Sequence, residues 1–165
     1  MANHLLAERL QPSLLDRLTD EAPDRQTDTA SSRTIDIARL RAIVQRDLSW
    51  LLNTSNFEAS QDLEGHPYSA RSVLNYGIPD IAGTVGTVDR ATQLRNAIRH
   101  AIETFEPRIL PQTLEVVMRQ EKSGTGAVIS FDIRGELWAE PVPVALYLRT
   151  ALDVTTGEVK VSQQG

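Results

Sequence analysis

The sequence predicts an α+β fold: two amphipathic helices packed on a three- or four-stranded antiparallel sheet, with a flexible N-terminal extension carrying a short helix. Three observations carry this. Apolar residues recur at helical spacing in two long stretches before Pro111, the period changes to two after it, and a polar Ser/Thr-rich stretch separates an early leucine cluster from the rest. The chain is therefore divided into a docking helix and linker, 1–33, and a main domain, 34–165. At 165 residues it has the usual size of one hydrophobic core.

Pro12 suits a first helical position, and Leu14, Leu15 and Leu18 fall on one side of about two turns. So short a helix is marginal alone, and its leucines need a surface, either on their own domain or on a partner. Thr19 to Arg33, with Pro23 and the run Thr27 to Ser32, buries little and reads as a linker. Ile35 to Asn53 is the first long helix, with Thr34 as its expected cap and Ile35, Ala38, Ile43, Leu48, Leu51 and Leu52 as its apolar positions. Asn53 to Arg71 reads as a polar loop. Tyr76 to Asp80 is a tight turn in which Gly77 takes positive φ.

Asp89 to Phe105 is the second long helix, with Leu94, Ala97, Ile98, Ala101, Ile102 and Phe105 on one face. Beyond Pro111, Leu114, Val116 and Met118 alternate with Glu115, Val117 and Arg119, and Ile129, Phe131 and Ile133 alternate with Ser130, Asp132 and Arg134. Ser123-Gly124-Thr125-Gly126 supplies hairpin chemistry between them. Ala145 to Val154 continues the sheet, and the polar segment Glu158 to Ser162 is expected as an edge strand with backbone groups open to a partner.

Composition excludes several classes. A hydrophobic fraction of 41% and a charged fraction of 24% are ordinary for a soluble protein, and no stretch has the roughly 18 uncharged apolar residues of a membrane span. Glu8 and Arg9 interrupt the leucines near the start, so no signal peptide forms and a cytoplasmic location is expected. No cysteines are present, and His4, His66 and His100 are too scattered for a metal site, so neither metal nor cofactor is expected. A net charge of -5 argues against nucleic acid, although Arg90, Arg95, Arg99 and His100 make a local basic stripe.

Glu106-Pro107-Arg108 stands where the second long helix runs out. Pro107 forces Glu106 from the helix, and its carboxylate is left beside carbonyls that carry roughly half a negative charge. Arg108, or an arginine or amide of another chain, could neutralise it. The tripeptide alone reads as a helix stop with an exposed ion pair worth at most about 1 kcal/mol. The alternative, a carboxylate answered on binding, has Glu106 and Arg108 act in assembly more than in folding, and that is the expectation.

Four pieces then fall in order: Gln11-Pro12-Ser13-Leu14-Leu15-Asp16-Arg17-Leu18, Arg46-Asp47-Leu48-Ser49-Trp50-Leu51-Leu52-Asn53-Thr54, Asn75-Tyr76-Gly77-Ile78-Pro79-Asp80, and Phe105-Glu106-Pro107-Arg108-Ile109. Together they resemble the TssE family. Its members are type VI secretion baseplate subunits related to the phage baseplate wedge protein often labelled lysozyme-like. The resemblance implies a structural wedge subunit that joins TssF and TssG through Glu106, Pro107 and Arg108. It also implies that the subunit starts sheath assembly with TssB and TssC through the strand edge around Val154, Val159 and Val161, with TssK a further candidate partner. Leu14, Leu15 and Leu18 are candidate docking residues. Ser55 stands where the family often has arginine.

No catalytic residue is assigned. A glycosidase needs two carboxyl groups across a cleft, one with a raised pKa. Glu103 and Glu106 end one helix, and Arg108 beside them would lower a carboxyl pKa. Gly83-Thr84-Val85-Gly86 lacks the remainder of a dinucleotide fingerprint. Trp50 and Trp138 are expected in core or interface packing. A peptidoglycan hydrolase and a tail subunit of a phage or related contractile particle are the alternatives.

Overall fold

In the computed structural model the described residues are 10, 12–19, 23–24, 35–80, 88–119, 128–139 and 143–163. Most of the 19–33 linker, Thr34, the Gly83–Gly86 turn and the Ser123–Gly126 turn lie outside them. Helix α1 spans Leu14–Leu18, α2 Ile37–Leu52, α3 Pro67–Ala70 and α4 Val88–Phe105. The strands are β1 Glu115–Arg119, β2 Val128–Leu137, β3 Val144–Asp153 and β4 Val159–Gln163. They form one antiparallel sheet in the order β1-β2-β3-β4, which confirms the α+β expectation with four strands and places β4 at an edge.

Period two sorts the sheet faces as expected. Val116 faces Ile133, Ile133 faces Leu148, and Leu152 faces Val159, all on the covered side. Helix α2 packs over β3 and β4, and α4 over β1. Leu40, Ile43, Val44, Leu48, Leu51 and Leu52 of α2 join Leu94, Ile98, Ala101 and Ile102 of α4 in the same core. On the opposite face Asp132 pairs with Arg149 at 3.1 Å and Arg119 at 3.6 Å, which suits a side turned to water.

Two local expectations change. The cap of α2 is Asp36, whose carboxylate accepts from the Arg39 N–H at 2.7 Å, so the helix starts two residues later than its apolar pattern. The segment after α2 is also built rather than irregular. Short helical turns at Phe57–Ala59, Pro67–Ala70 and Val73–Asn75 are held by buried Asn75, which accepts from Glu58 N–H at 2.9 Å and donates to the Ala70 carbonyl at 3.0 Å.

The leucine segment is not wholly separate from the main domain. Leu10 is buried in the common core, and its carbonyl accepts from Ile35 N–H at 3.0 Å. Neither tryptophan is core: Trp50 and Trp138 are both at least half exposed.

Gly77 has φ +124°, and a Cβ there would stand 2.1 Å from the Thr54 carbonyl oxygen. That approach lets Ile78 N–H donate to Thr54 and Asn56 N–H donate to Ile78, closing the segment on the end of α2. Gly77→Ala is expected to lower stability by roughly 3 kcal/mol or more, from strain and clash together. Gly65→Ala, at φ +85° with open space around it, should cost only about 1 kcal/mol. Equal denaturant midpoints for the two variants would show that the contact is not what demands glycine.

Candidate partner-binding site

The Glu106-Pro107-Arg108 turn is anchored by its backbone before its side chains do anything. Glu106 N–H makes the last helical bond, to Ile102 at 2.9 Å. Two residues on, the chain pairs with the end of β2: Trp138 N–H donates to Arg108 at 2.7 Å, Leu110 N–H donates to Glu136 at 2.9 Å, and Ile109 stands opposite Leu137. Gly135 eases this approach, since a Cβ there would lie 3.1 Å from Ile109 Cγ2 and the isoleucine would have to give way slightly.

The side chains then build a chain of alternating charge. Glu106 is only 4% exposed, and Arg108 covers both its oxygens: Nε donates to Oε1 at 2.6 Å and Nη2 donates to Oε2. The Arg108 N–H adds a bond to Oε1 at 3.2 Å. Arg108 Nη2 also donates to Asp47 Oδ2 on α2 at 2.6 Å, while Asp47 Oδ1 accepts from Arg46 Nε at 2.9 Å and Nη2 at 2.7 Å. Arg46 Nη1 reaches Asp16 Oδ1 on α1 at 2.6 Å, and Ser13 Oγ donates to Asp16 Oδ2. Arg46 also lies over the Trp50 ring, 4.8 Å from its centroid.

The electrostatics follow the geometry. Burial opposes the charge of Arg108, yet hydrogen bonds and attraction from Glu106, then Asp47, outweigh it and raise its pKa. Arg46 is likewise raised, chiefly by its hydrogen bond to Asp16 and further by Asp47, against burial. Tyr76 borders the cluster: its hydroxyl is pushed up by burial first and then by Asp47 and Glu106, while its ring meets Phe105 edge-on at 5.4 Å.

These positions revise the roles expected of the candidate residues. Glu106 faces inward and is satisfied by its own chain, so its place is to hold Arg108; Pro107 is exposed and Arg108 partly so. The sequence leads one to expect that Glu106 and Arg108 act in assembly more than in folding; the burial of Glu106 gives Arg108 a part in folding as well, because truncating it would strand a carboxylate in the interior. Leu14 and Leu18, 71% and 75% exposed, and half-exposed Leu15 are free of the core. Val154, before β4, and Val159 are buried and Val161 is half-buried; Lys160, Ser162 and Gln163 of β4 are exposed, but the valines themselves offer a partner little beyond backbone. Part of that is occupied: Asn53 accepts from Val159 N–H at 2.9 Å and donates to its carbonyl at 2.8 Å, and Gln45 donates to the Val161 carbonyl at 2.9 Å. Sequence reasoning assigned no role to Asp16, Arg46, Asp47 or Tyr76. Their helical spacing and the quoted pieces marked the segments, but nothing local pairs residues 61 positions apart.

The family model of the baseplate wedge protein gp25 matches residues 38–142, more than half of the chain, and encloses Asp47, Tyr76, Gly77 and the whole Glu106-Pro107-Arg108 turn. The chain belongs to the gp25 baseplate wedge family. This is the family of TssE, as the resemblance implied. No curated protein and no solved structure matches the chain. The leucines of α1 and all of β4 lie outside the gp25 match.

Arg108→Ala should cost about 3 kcal/mol, the loss expected when one partner of a buried ion pair is removed. Adding Glu106→Gln should recover part of it, because the stranded charge is gone. Strictly additive losses in chemical denaturation would show that the two side chains are not coupled.

Asp16 gives a pH signature. Its carboxyl is held below its ordinary value of 3.8, chiefly by the Arg46 hydrogen bond and also by Ser13, against burial. A lowered folded-state pKa means that the contribution is complete above the unfolded value and is lost as pH falls through the lower folded one. Asp16→Ala should therefore lessen the acid dependence of stability below about pH 4 and leave its slope near neutrality unchanged. Superimposable profiles for variant and parent in that acid range would contradict the pairing.

Proposed function

We propose that this gp25-family chain is a structural wedge subunit of a type VI secretion baseplate, joining TssF and TssG and starting contractile-sheath assembly with TssB and TssC. The observation that carries the reading is the clamped arginine within the family span. Arg108 is fixed by two carboxylates through Nε and Nη2, and neither uses Nη1, whose N–H groups have no acceptor among the described residues and can point at one on a partner. Exposed Pro107 lies beside it. Leu14, Leu15 and Leu18 supply apolar contact, and the backbone of β4 beyond the Asn53 and Gln45 caps supplies the site for a sheath strand. TssK is a further candidate neighbour. No cofactor, nucleic acid or membrane insertion enters this reading, and the subunit works at the cytoplasmic side of the inner membrane. Among the described residues no helix is long and apolar enough to cross a membrane.

The same geometry argues against a lysozyme-like hydrolase. A general acid needs a carboxyl group that keeps its proton, whereas Glu106 is clamped by a guanidinium and Glu103 pairs with Arg99 at 2.8 Å. Sheath, inner-tube and baseplate genes beside this one, with an ATPase for sheath disassembly, would separate secretion from a phage-like particle.

Arg108→Lys is the informative variant, since it keeps a cation for Glu106 but loses the planar fork. It should fold with a loss of about 1 kcal/mol and capture coexpressed TssF and TssG at least about tenfold less well, the scale of losing one charge-assisted contact. Wild-type capture by a folded Arg108→Lys protein would sink the assignment of this residue to the wedge interface.

A further inference from the structure

Helix α1 is held in a way that its own sequence does not explain. Five residues make too short a helix to persist alone, since nucleation is costly and a helix of this length closes few backbone bonds, those from Arg17 N–H to Ser13 and Thr19 N–H to Leu15 at its ends among them. Apolar burial does not hold it either, because Leu14, Leu15 and Leu18 all face outward. Asp16 is the one residue of α1 that is not exposed, and it meets Arg46 through Nη1 at 2.6 Å and Nη2 at 3.3 Å. Leu10 tethers the segment upstream by its burial and its bond to Ile35, but it leaves the orientation of the helix open. Among the described residues the Asp16–Arg46 ion pair is the side-chain contact from α1 to the main domain that can set its orientation.

Arg46 has three engagements at once. It holds Asp16 of α1, it holds Asp47 and through it Arg108, and it stacks on half-exposed Trp50. The leucine helix and Trp50 therefore flank one guanidinium, and the Glu106-Pro107-Arg108 turn is attached to the same guanidinium through one carboxylate. Three elements distant in sequence are thus joined by charged side chains at this point, in addition to the core that α2 and α4 share.

We propose that Arg46 is a positioning residue for partner binding: it fixes α1 against the Asp47–Arg108 cluster, so that Leu14, Leu15, Leu18, Trp50 and Arg108 meet a partner as one preformed surface. The surface fits a partner that offers an apolar patch to the leucines and an oxygen acceptor to Arg108. The proposal rests on the wedge reading above and adds to it the means of presentation. A helix already ordered binds without the ordering cost that a loose peptide carries, and apparent affinity scales with the fraction of the chain in the competent arrangement.

The test uses the full chain and the TssF–TssG complex. Asp16→Ala cuts the latch while raising the intrinsic helix propensity of α1, so loss of order cannot be charged to propensity. Hydrogen exchange at Arg17 and Thr19 should accelerate in Asp16→Ala and in Arg46→Met, while the amides of β2 and β3 keep their protection. Affinity for the complex should fall about tenfold or more. In a background that already carries Leu14→Ser and Leu18→Ser, the Asp16→Ala effect should shrink towards nothing, because a latch matters only if the leucines it presents make contact. Unchanged exchange in α1, or an Asp16→Ala loss of the same size with and without the leucines, overturns the proposal while leaving the wedge reading intact. A wild-type chain that fails to bind the complex defeats the wedge reading instead, and the exchange data then decide whether the latch exists.

Discussion

The carboxylate of Asp47 is the constraint on which the site depends. One oxygen accepts from Arg46 and the other from Arg108, so a single side chain near the middle of α2 ties the N-terminal helix to the turn after α4. The order of charges from Glu106 through Arg108, Asp47 and Arg46 to Asp16 alternates in sign. Each group thus has an opposite charge on the side where burial would otherwise disfavour it. Asp47 can do this because α2 lies against the sheet through Leu48, Leu51 and Leu52, which turns the neighbouring Arg46–Asp47 pair towards the cluster.

Helix α2 also reaches the β4 edge of the sheet, there with neutral amides. An edge strand presents backbone groups that would invite any passing strand. On β4, Asn53 mimics a neighbouring strand by accepting from and donating to Val159, and Gln45 takes the next outward carbonyl at Val161. These amides cover the start of the strand and leave its far end towards Gln163. The helix therefore limits where on the edge a strand could be added, at the cost of no more than two polar side chains.

Much of the fold was legible because it is written in local periods. The helical stripes of α2 and α4, the alternation in β1 to β3 and the positive φ of Gly77 each depend on residues a few positions apart. The apolar stripe ran past the true start of α2, because Ile35 packs into the core without being helical and Asp36, a better cap, lay hidden inside the pattern. The turns between Phe57 and Asn75 were missed because their organiser, the Asn75 side chain, bonds backbone 17 residues away. The site divides the same way. Glu106, Pro107 and Arg108 could be singled out from the strain of an anion at a helix end, and the gp25 family match covers them. That Glu106 is answered from within its own chain, and that Arg46 and Asp47 carry the connection to α1, depends on tertiary contacts with no trace in spacing.

A polar cluster of this kind is a poor way to gain stability. Apolar side chains of similar volume at Glu106, Arg108 and Asp47 would avoid the desolvation of three charges and would be expected to leave the isolated fold as stable or more so. What they could not supply is a guanidinium held in one orientation with donors still unspent. On the proposed wedge reading, Glu106 and Asp47 remove the rotational freedom of Arg108 before a partner arrives, and the two carboxylates need Arg108 to be tolerated where they are. On that reading the cluster joins folding and presentation in the same bonds. For that reason a helix stop, a sheet bridge at Ile109 and a distant aspartate on α2 all converge on one arginine.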